Sequence, residues 1–263
     1  MINNILSVDL ESFTHREFNI KKRNRKDNGF TLKATRYLLE LLGRHKTKAT
    51  FFVVGEIFNL YPQLIEDIQS EGHEIGYHSH RHVFLRNNED LKQELLLSKE
   101  FLDKFKPIGF RAPRMQIRID QLNVLKKFNF KYDSSTYNEY KKIETSGIRE
   151  IPISVAPYPF LGNLPFRFPQ NLKMALATRG IPYGSGLFIA ILGKNIKYFI
   201  DQTNKKGLPA VLFIHPWQLM PYESLFSSHH LYNLPKIIYK KNINKTLEFL
   251  LSMYRFSPMK NLL

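Results

Sequence analysis

The segment Ala49-Thr50-Phe51-Phe52-Val53-Val54 is almost wholly apolar. Its β-branched and aromatic residues favour a strand, and the lack of polar alternation indicates a strand that is covered on both faces. Strands of this kind occur in parallel sheets that carry helices on either side. The segment therefore predicts an α/β protein built on a parallel sheet.

Six further strand-like runs occur along the chain, separated by stretches with three- to four-residue apolar spacing. A strand followed by a helix, repeated about seven times, predicts a distorted (β/α) barrel with about seven parallel strands. Helices are predicted around residues 32–42, 57–68 and 91–102. The predicted strands are Ile5–Asp9, Ala49–Val54, His73–His78, Ile108–Arg111, Phe130–Ser134, Glu150–Val155 and Ala210–His215.

The length of 263 residues suits one large domain. We find no repeat and no low-complexity linker, so we expect a single domain over residues 1–263. Residues 157–192 are rich in proline, glycine and aromatic side chains, which predicts an irregular insertion that shapes a binding cleft. A last helix is predicted over residues 243–254.

The charge balance is strongly basic, with 39 Lys and Arg against 23 Asp and Glu, a formal net charge of +16. Such a charge attracts anionic partners, but a lysine-rich proteome explains it equally well. The basic run from Lys21 to Lys26 predicts peripheral contact with an anionic membrane. A nucleic-acid-binding protein is a non-enzyme alternative, which the lack of a recognisable nucleic-acid motif disfavours.

The chain contains no cysteine. This excludes a disulfide framework, a cysteine-based zinc site, an iron–sulfur cluster and a thiol nucleophile. The residues from Met1 to Val8 lack the features of a secretory signal, and no apolar run approaches the ~18–20 residues of a membrane span. We therefore expect a cytoplasmic protein, or one that lies peripherally at the inner face of the membrane.

Ionisable residues stand where the predicted strands end. In a parallel α/β fold the carboxyl ends of the strands form the ligand site, so these side chains are expected to share one rim. Glu11 follows the first strand by two residues, and His82 follows His78 by four. The residues at the strand ends are Asp9, His78, Arg111, Asp133 and His215.

The pair His78 and His82 has the spacing of a metal motif, since two imidazoles at i and i+4 can face one ion from a single turn. One carboxylate would complete a two-histidine site with open positions for water and substrate, suited to zinc or to iron, cobalt or manganese. The alternative is a polar loop in a basic protein that has nine histidines.

Five motifs resemble those of the polysaccharide deacetylases, the NodB homology domain of carbohydrate esterase family four. The resemblance covers nearly the whole chain in order, and it is closest to the branch found in exopolysaccharide and surface-glycan clusters. The motifs are Val8-Asp9-Leu10-Glu11, Ala49-Thr50-Phe51-Phe52-Val53, Gly72-His73-Glu74-Ile75-Gly76-Tyr77-His78-Ser79-His80-Arg81-His82, Phe110-Arg111-Ala112-Pro113 and Phe213-Ile214-His215-Pro216-Trp217.

The resemblance implies a metal-dependent hydrolase that removes an N-acetyl or other N-acyl group from an amino sugar. The expected substrate is a surface polysaccharide or its lipid-linked precursor. The metal ligands would be Glu11, His78 and His82. The ion would be divalent, with zinc as the first choice and cobalt, manganese, iron or nickel as alternatives.

The resemblance also implies roles for the remaining residues of the motifs. Asp9 would be the general base, Arg111 would hold its carboxylate, and His215 would be the general acid. Asp133 is a looser match to the residue that polarises this histidine. Two rim residues, Trp217 and Arg114, are expected to bind substrate.

Three departures from the family pattern keep alternatives open. Glu11 stands where the usual metal ligand is aspartate, Arg114 stands where many members have tyrosine, and Ser12 stands where this branch often has an acid. A metal-independent carbon–nitrogen hydrolase or an inactive relative on the same fold would also fit. Asp9 and Arg111 could form a purely structural ion pair, and His215 could be a core histidine.

Overall fold

The computed structural model describes residues 2–12, 15, 27–140, 143–159, 171–221 and 243–263. The basic run from Lys21 to Lys26, and with it the predicted membrane contact, lies outside these ranges. Within them, no helix combines the length and apolar character that crossing a bilayer requires.

A curved sheet forms the centre of the described structure. Its strands are β1 Asn3–Leu10, β2 Thr50–Val53, β3 Glu74–Tyr77, β4 Gly109–Phe110, β5 Tyr132–Asp133, β7 Ile143–Thr145, β8 Ile148–Glu150, β12 Val211–Ile214 and β13 Arg255–Ser257. They run in the order β12-β1-β2-β3-β4-β5-β8-β7, and β13 also pairs with the start of β1. All of these pairings are parallel except that between β7 and β8.

Four further short strands form two small sheets. They are β6 Tyr137–Asn138, paired with β9 Ile153–Ser154, and β10 Ala156–Pro157, paired with β11 Gly180–Ile181. The strand β9 lies beside β12, because the Val211 N–H donates to Ser154 Oγ at 2.8 Å. Gly184 donates to the Ser154 carbonyl at 3.0 Å and accepts from the Phe213 N–H at 2.8 Å. These bonds connect β12, at one end of the curved sheet, to the small sheet of β6 and β9.

Helices lie between most of the parallel strands. Their bounds are α1 Phe30–Arg44, α2 Gly55–Leu60, α3 Pro62–Ser70, α4 Asn88–Leu97, α5 Lys99–Phe105, α6 Ile119–Lys127, α7 Leu172–Thr178, α8 Gly186–Leu192, α9 Ile196–Lys205 and α10 Asn244–Met253. The distorted (β/α) barrel is confirmed, and all seven predicted strands are present, some of them shorter than expected.

Several boundaries differ from the prediction. The helix expected over 57–68 is two helices, since Pro62 lacks an N–H and restricts the residue before it. The helix expected over 91–102 is likewise divided at Ser98. The strand expected over 150–155 is interrupted at Pro152 and becomes the end of β8 and all of β9. The described part of the insertion 157–192 contains α7, β11 and α8, so it is not irregular throughout.

Apolar side chains cover both faces of the sheet, as the run at residues 49–54 predicts. Phe51 belongs to the larger core between the sheet and the helices, whereas Phe52 belongs to a second core inside the barrel. The amino-terminal end of the barrel is closed by the last residues of the chain. There the Met259 N–H donates to Thr50 Oγ1 at 2.8 Å and the Lys260 N–H donates to Glu74 Oε2 at 3.0 Å. The carboxyl ends of the strands lie opposite.

Candidate active site

The carboxyl ends of the parallel strands bring the predicted site residues to one rim. Asp9 lies in β1, and Glu11 is the first residue after this strand. His78 is the first residue after β3. Arg111 follows β4 and His215 follows β12. The parallel registers place these ends side by side, because β1 pairs with both β12 and β2, and β3 pairs with both β2 and β4.

Glu11, His78 and His82 form a compact cluster. One ligand atom from each of the three lies within 4.8 Å of the others. His82 Nε2 is 2.6 Å from Glu11 Oε2, and the ring centroids of the two histidines are 5.0 Å apart. Two imidazoles and one glutamate carboxylate form a donor set that catalytic zinc sites use.

The two histidines converge through a loop rather than the helical turn that their spacing suggested. Ser79 and His82 both have left-handed backbone conformations, with φ of 62° and 55°. The His82 N–H donates to Ser79 Oγ at 3.1 Å, which fixes the turn. Left-handed non-glycine residues are unfavourable and occur mainly where surrounding structure holds them, often at functional sites. Here they direct both rings toward Glu11.

The protonation states of His78 and Glu11 suit metal binding. His78 Nδ1 lies 2.7 Å from the Arg111 carbonyl, which can only accept, so Nδ1 carries the proton and Nε2 keeps its lone pair. Burial lowers the pKa of His78 to about 4, so this ring is neutral at pH 7. Burial raises the pKa of Glu11. The nearby rings of His82 and His215 outweigh that effect and hold the pKa of Glu11 well below the usual value for a glutamate. These three residues therefore fit a divalent transition metal.

Arg111 holds Asp9 beside this cluster. The guanidinium is fully buried and pairs with Asp9 through Nη1. It also donates from Nε to the Ser134 carbonyl at 3.0 Å and from Nη2 to Ser134 Oγ at 2.9 Å, and it lies 4.2 Å from the centroid of the Phe52 ring. The second Asp9 oxygen is 4.0 Å from His78 Nε2. The carboxylate is thus fixed next to the candidate ligands.

His215 faces the same cluster from β12. Its Nε2 is 3.4 Å from Glu11 Oε1, and its Nδ1 is 3.2 Å from Gln218 Oε1. The ring stacks on Trp217 with centroids 4.6 Å apart and planes at 22°. Trp217 is only 3% exposed, and its indole packs against the imidazole. The contact of Trp217 with substrate stays a prediction.

Asp133 does not contact His215 in the way the family match implied. It accepts from Ser135 Oγ at 2.6 Å and from the Ser135 N–H at 3.2 Å. Its neighbour in the sheet is Glu150, paired with it by the parallel register of β5 and β8. Ser135 in turn accepts from the Ala112 N–H at 2.8 Å. Asp133 therefore supports the segment that follows Arg111, and a role of Asp133 in polarising His215 stays a prediction.

The buried carboxyl pair of Asp133 and Glu150 predicts a pH-dependent stability. Burial raises the pKa of both groups, and Asp133 raises that of Glu150 further. Because the folded-state pKa of Glu150 exceeds its unfolded value of about 4.3, the wild type has its full stability below that pH. Stability is then lost as the pH rises through the raised pKa. Glu150→Gln cannot ionise and should be spared this loss.

We expect the Tm of Glu150→Gln to rise relative to wild type between about pH 5 and pH 8, by about 2–4 °C for each kcal/mol recovered. Thermal unfolding across this range measures the difference. Glu144→Gln on the neighbouring strand removes an exposed carboxylate and is the control. Parallel Tm profiles for wild type and Glu150→Gln would contradict the assignment.

Arg114 lies exposed at the rim, where the sequence predicted a substrate contact. Its backbone is left-handed, with φ of 60°, as is that of Met115, with φ of 54°. Burial and the positive charge of Arg114 both oppose protonation of His82, but Glu11 outweighs them and raises the pKa of His82. The side chain thus belongs to the electrostatic environment of the cluster, and its contact with substrate stays a prediction.

Some residues of the site were not identified from sequence. Ser134 and Ser135 bond Arg111 and Asp133, and Gln218 bonds His215. The spacing of His215 and Gln218 was a usable signal, because a residue at a helix start followed by Gln three positions later is typical of a capping box. The partnership of Glu150 with Asp133 leaves no local signal, since it depends on strand register.

Comparison with known proteins agrees with this architecture. The family model described as polysaccharide deacetylase matches residues 27–132. A peptidoglycan-N-acetylglucosamine deacetylase of Bacillus cereus is 36% identical over 91 residues, which are 33% of this chain and 43% of that protein. A chitooligosaccharide deacetylase of Azorhizobium caulinodans is 30% identical over 111 residues, 40% of this chain and 53% of that protein. The chain thus matches about half or less of each relative's length.

A solved structure from Mycobacterium smegmatis, provisionally assigned as a polysaccharide deacetylase, has the same fold. It superposes with a TM-score of 0.59 at 17% identity, over 99% of this chain and 90% of that one. The matched residues 27–132 contain His78, His82 and Arg111, whereas Asp9, Glu11 and His215 reach the site from outside that segment. Residues 27–132, less than half of the chain, thus match the polysaccharide deacetylase family.

Proposed function

We propose that this protein is a metal-dependent hydrolase that removes an N-acetyl or other N-acyl group from an amino sugar. The observation that carries the proposal is the convergence of three kinds of group at one rim. They are the cluster of Glu11, His78 and His82, the Asp9–Arg111 pair, and His215. The relatives' names refer to peptidoglycan and chitooligosaccharide, both N-acetylated glycans, which supports an amino-sugar substrate.

The reaction requires addition of water to the amide carbonyl and cleavage of the carbon–nitrogen bond. A divalent metal ion, when bound by Glu11, His78 and His82, supplies Lewis acidity for the carbonyl and the attacking water. Asp9 accepts the proton that the water loses, and Arg111 keeps this carboxylate in place. His215 donates a proton from Nε2 to the departing amine, and the products are a carboxylic acid and a free amino sugar.

The finer substrate assignment is a surface polysaccharide or its lipid-linked precursor, with zinc as the metal. The exposed Arg114 beside the cluster supports a substrate that carries an anionic group near the N-acyl function, because a cation at the rim favours such a ligand. A phosphate-linked sugar and an acidic glycan both have this property.

The direct test combines metal analysis with acetate release. Purified protein should contain about one divalent ion per chain and release acetate from at least one of acetylated chitooligosaccharides, peptidoglycan fragments and lipid-linked N-acetylated sugars. Chelation should abolish release and zinc should restore it, while His215→Gln should remain bound to metal but be slow. Acetate release that is unaffected by chelation would favour the metal-independent hydrolase. No binding of zinc, cobalt or manganese, together with no release, would favour an inactive relative.

A further inference from the structure

Gln218 is buried directly behind His215, on the side away from the metal-ligand cluster. It is 3% exposed and lies in the short helical turn Pro216–Leu219 that follows β12. Its backbone N–H donates to the His215 carbonyl at 3.0 Å. The side chain folds back toward the start of this turn, so the amide and the imidazole are in contact.

Two backbone groups fix the orientation of the Gln218 amide. The His215 N–H, which can only donate, lies 2.9 Å from Oε1. The Gly186 carbonyl, which can only accept, lies 3.0 Å from Nε2. Exchanging the amide oxygen and nitrogen would place donor against donor and acceptor against acceptor, so only one orientation satisfies both contacts.

The space around this amide is equally restrictive. A Cβ atom at position 186 would lie 2.4 Å from Gln218 Oε1 and 3.0 Å from Nε2. Glycine at the start of α8 therefore allows the amide to approach the backbone closely. The neighbouring Trp217 ring covers the imidazole face. The arrangement is closely packed on several sides, and a different rotamer of Gln218 would clash or lose its bonds.

The fixed amide determines which nitrogen of His215 carries the proton in the neutral ring. Gln218 Oε1 lies 3.2 Å from Nδ1 and can only accept, so Nδ1 must be the donor. The lone pair of the neutral ring is then on Nε2, which faces Glu11 Oε1 at 3.4 Å. Nε2 is therefore the nitrogen that the ring presents to the cluster.

We infer that Gln218 is a positioning residue that holds His215 in its Nδ1–H tautomer and directs Nε2 toward the reacting groups. The inference rests on the proposed function for its catalytic consequence, since His215 acts there as the general acid. An aspartate at this position in the network could accept from Nδ1–H, but a carboxylate could not donate to the Gly186 carbonyl. A neutral amide performs both tasks without placing a second negative charge beside the imidazole.

The tautomer is measured directly by long-range ¹H–¹⁵N correlation spectra of the histidine rings, recorded at a pH where His215 is neutral. His215→Gln identifies the signal of this residue. We expect wild type to show a protonated Nδ1 and an unprotonated Nε2. Gln218→Met keeps the side-chain length but has no amide oxygen to accept from Nδ1–H. The neutral His215 ring of this variant should no longer carry its proton on Nδ1 alone.

The kinetic consequence is a fall in kcat of about 10- to 100-fold with KM little changed, below the 10²–10⁴-fold expected when a general acid is removed. Gln121→Met is the matched control. Gln121 is also fully buried and its Nε2 donates to the carbonyls of Leu85 and Asn87, but these contacts lie on α6 and the loop before α4. It should lower stability without changing the His215 tautomer or kcat.

A second variant, Gln218→Glu, separates the acceptor role from packing. Its carboxylate can still accept from Nδ1–H, so the tautomer should be retained although the bond to the Gly186 carbonyl is lost. A wild-type ring with the proton on Nε2, or a Gln218→Met variant that retains the tautomer and matches Gln121→Met in kcat, would overturn the inference. The spectra do not depend on turnover. If the protein releases no acetate, the proposed function is contradicted. The tautomer spectra then still decide whether Gln218 holds His215 in its Nδ1–H form.

Discussion

Asp9→Asn is expected to lower kcat by about 10²–10⁴-fold while metal stays bound, because a positioned general base contributes a factor of that size. The Asp9 carboxylate is paired with Arg111 and lies beside His78, but it is not one of the three clustered ligand atoms. Asparagine has nearly the same shape and cannot accept the proton of the attacking water.

The same substitution removes one partner of a buried ion pair. The guanidinium of Arg111 then loses its paired charge, which typically costs about 3–5 kcal/mol of stability. Activity and metal content should therefore be measured well below the Tm of the variant. Asp201→Asn is the control, since Asp201 pairs with Lys197 and accepts from the Tyr254 hydroxyl far from the rim. Near-normal kcat in Asp9→Asn, or loss of its metal, would show that Asp9 is not the base.

Glu11→Gln is expected to lose most of the bound metal, because it removes the only anionic member of the three-residue cluster. Glu11→Asp should also bind metal more weakly than wild type, by more than about tenfold. Aspartate is shorter by one carbon–carbon bond of about 1.5 Å. In this backbone the glutamate oxygens reach to 2.6 Å from His82 Nε2 and 3.4 Å from His215 Nε2. The shorter side chain would withdraw from both rings.

Competition with a chromophoric chelator measures these affinities. His78→Ala and His82→Ala should each empty the site, since two remaining ligands hold a divalent ion poorly. Glu56→Gln is a matched control, because Glu56 also pairs with an imidazole, that of His15 at 3.1 Å, but does not belong to the cluster. If Glu11→Asp binds metal as tightly as wild type or more tightly, the backbone accommodates the family's usual aspartate and the longer side chain is not required.

Local sequence patterns were sufficient for the strands and for part of the candidate site. The wholly apolar run at 49–54 predicts a strand covered on both faces, and Phe51 and Phe52 indeed pack into separate cores. The order of strands and helices predicts the barrel, because parallel strands need a crossover of considerable length between them. Positions at strand ends then predict one shared rim, and the spacing of His78 and His82 predicts their convergence on one ion.

The apolar spacing alone did not predict three breaks within helices and strands. The breaks at Pro62 and Pro152 were readable from the proline itself, which cannot donate a backbone hydrogen bond. The division at Ser98 leaves no comparable signal. Apolar spacing continues through it, and only the packing of α4 and α5 shows that the helix does not continue.

Tertiary structure decided which polar groups of the rim meet. Asp133 stands at a strand end like Asp9, yet strand register places it beside Glu150 and away from His215. Trp217 follows His215 in sequence, yet it is buried against the imidazole. The amide of Gln218 acquires its orientation from the Gly186 carbonyl, 32 residues away along the chain. Sequence alone determined the kinds of side chain at the rim and the strands that carry them. Their partners depended on distances between segments remote in sequence, which are set only when the sheet curves and its registers are formed.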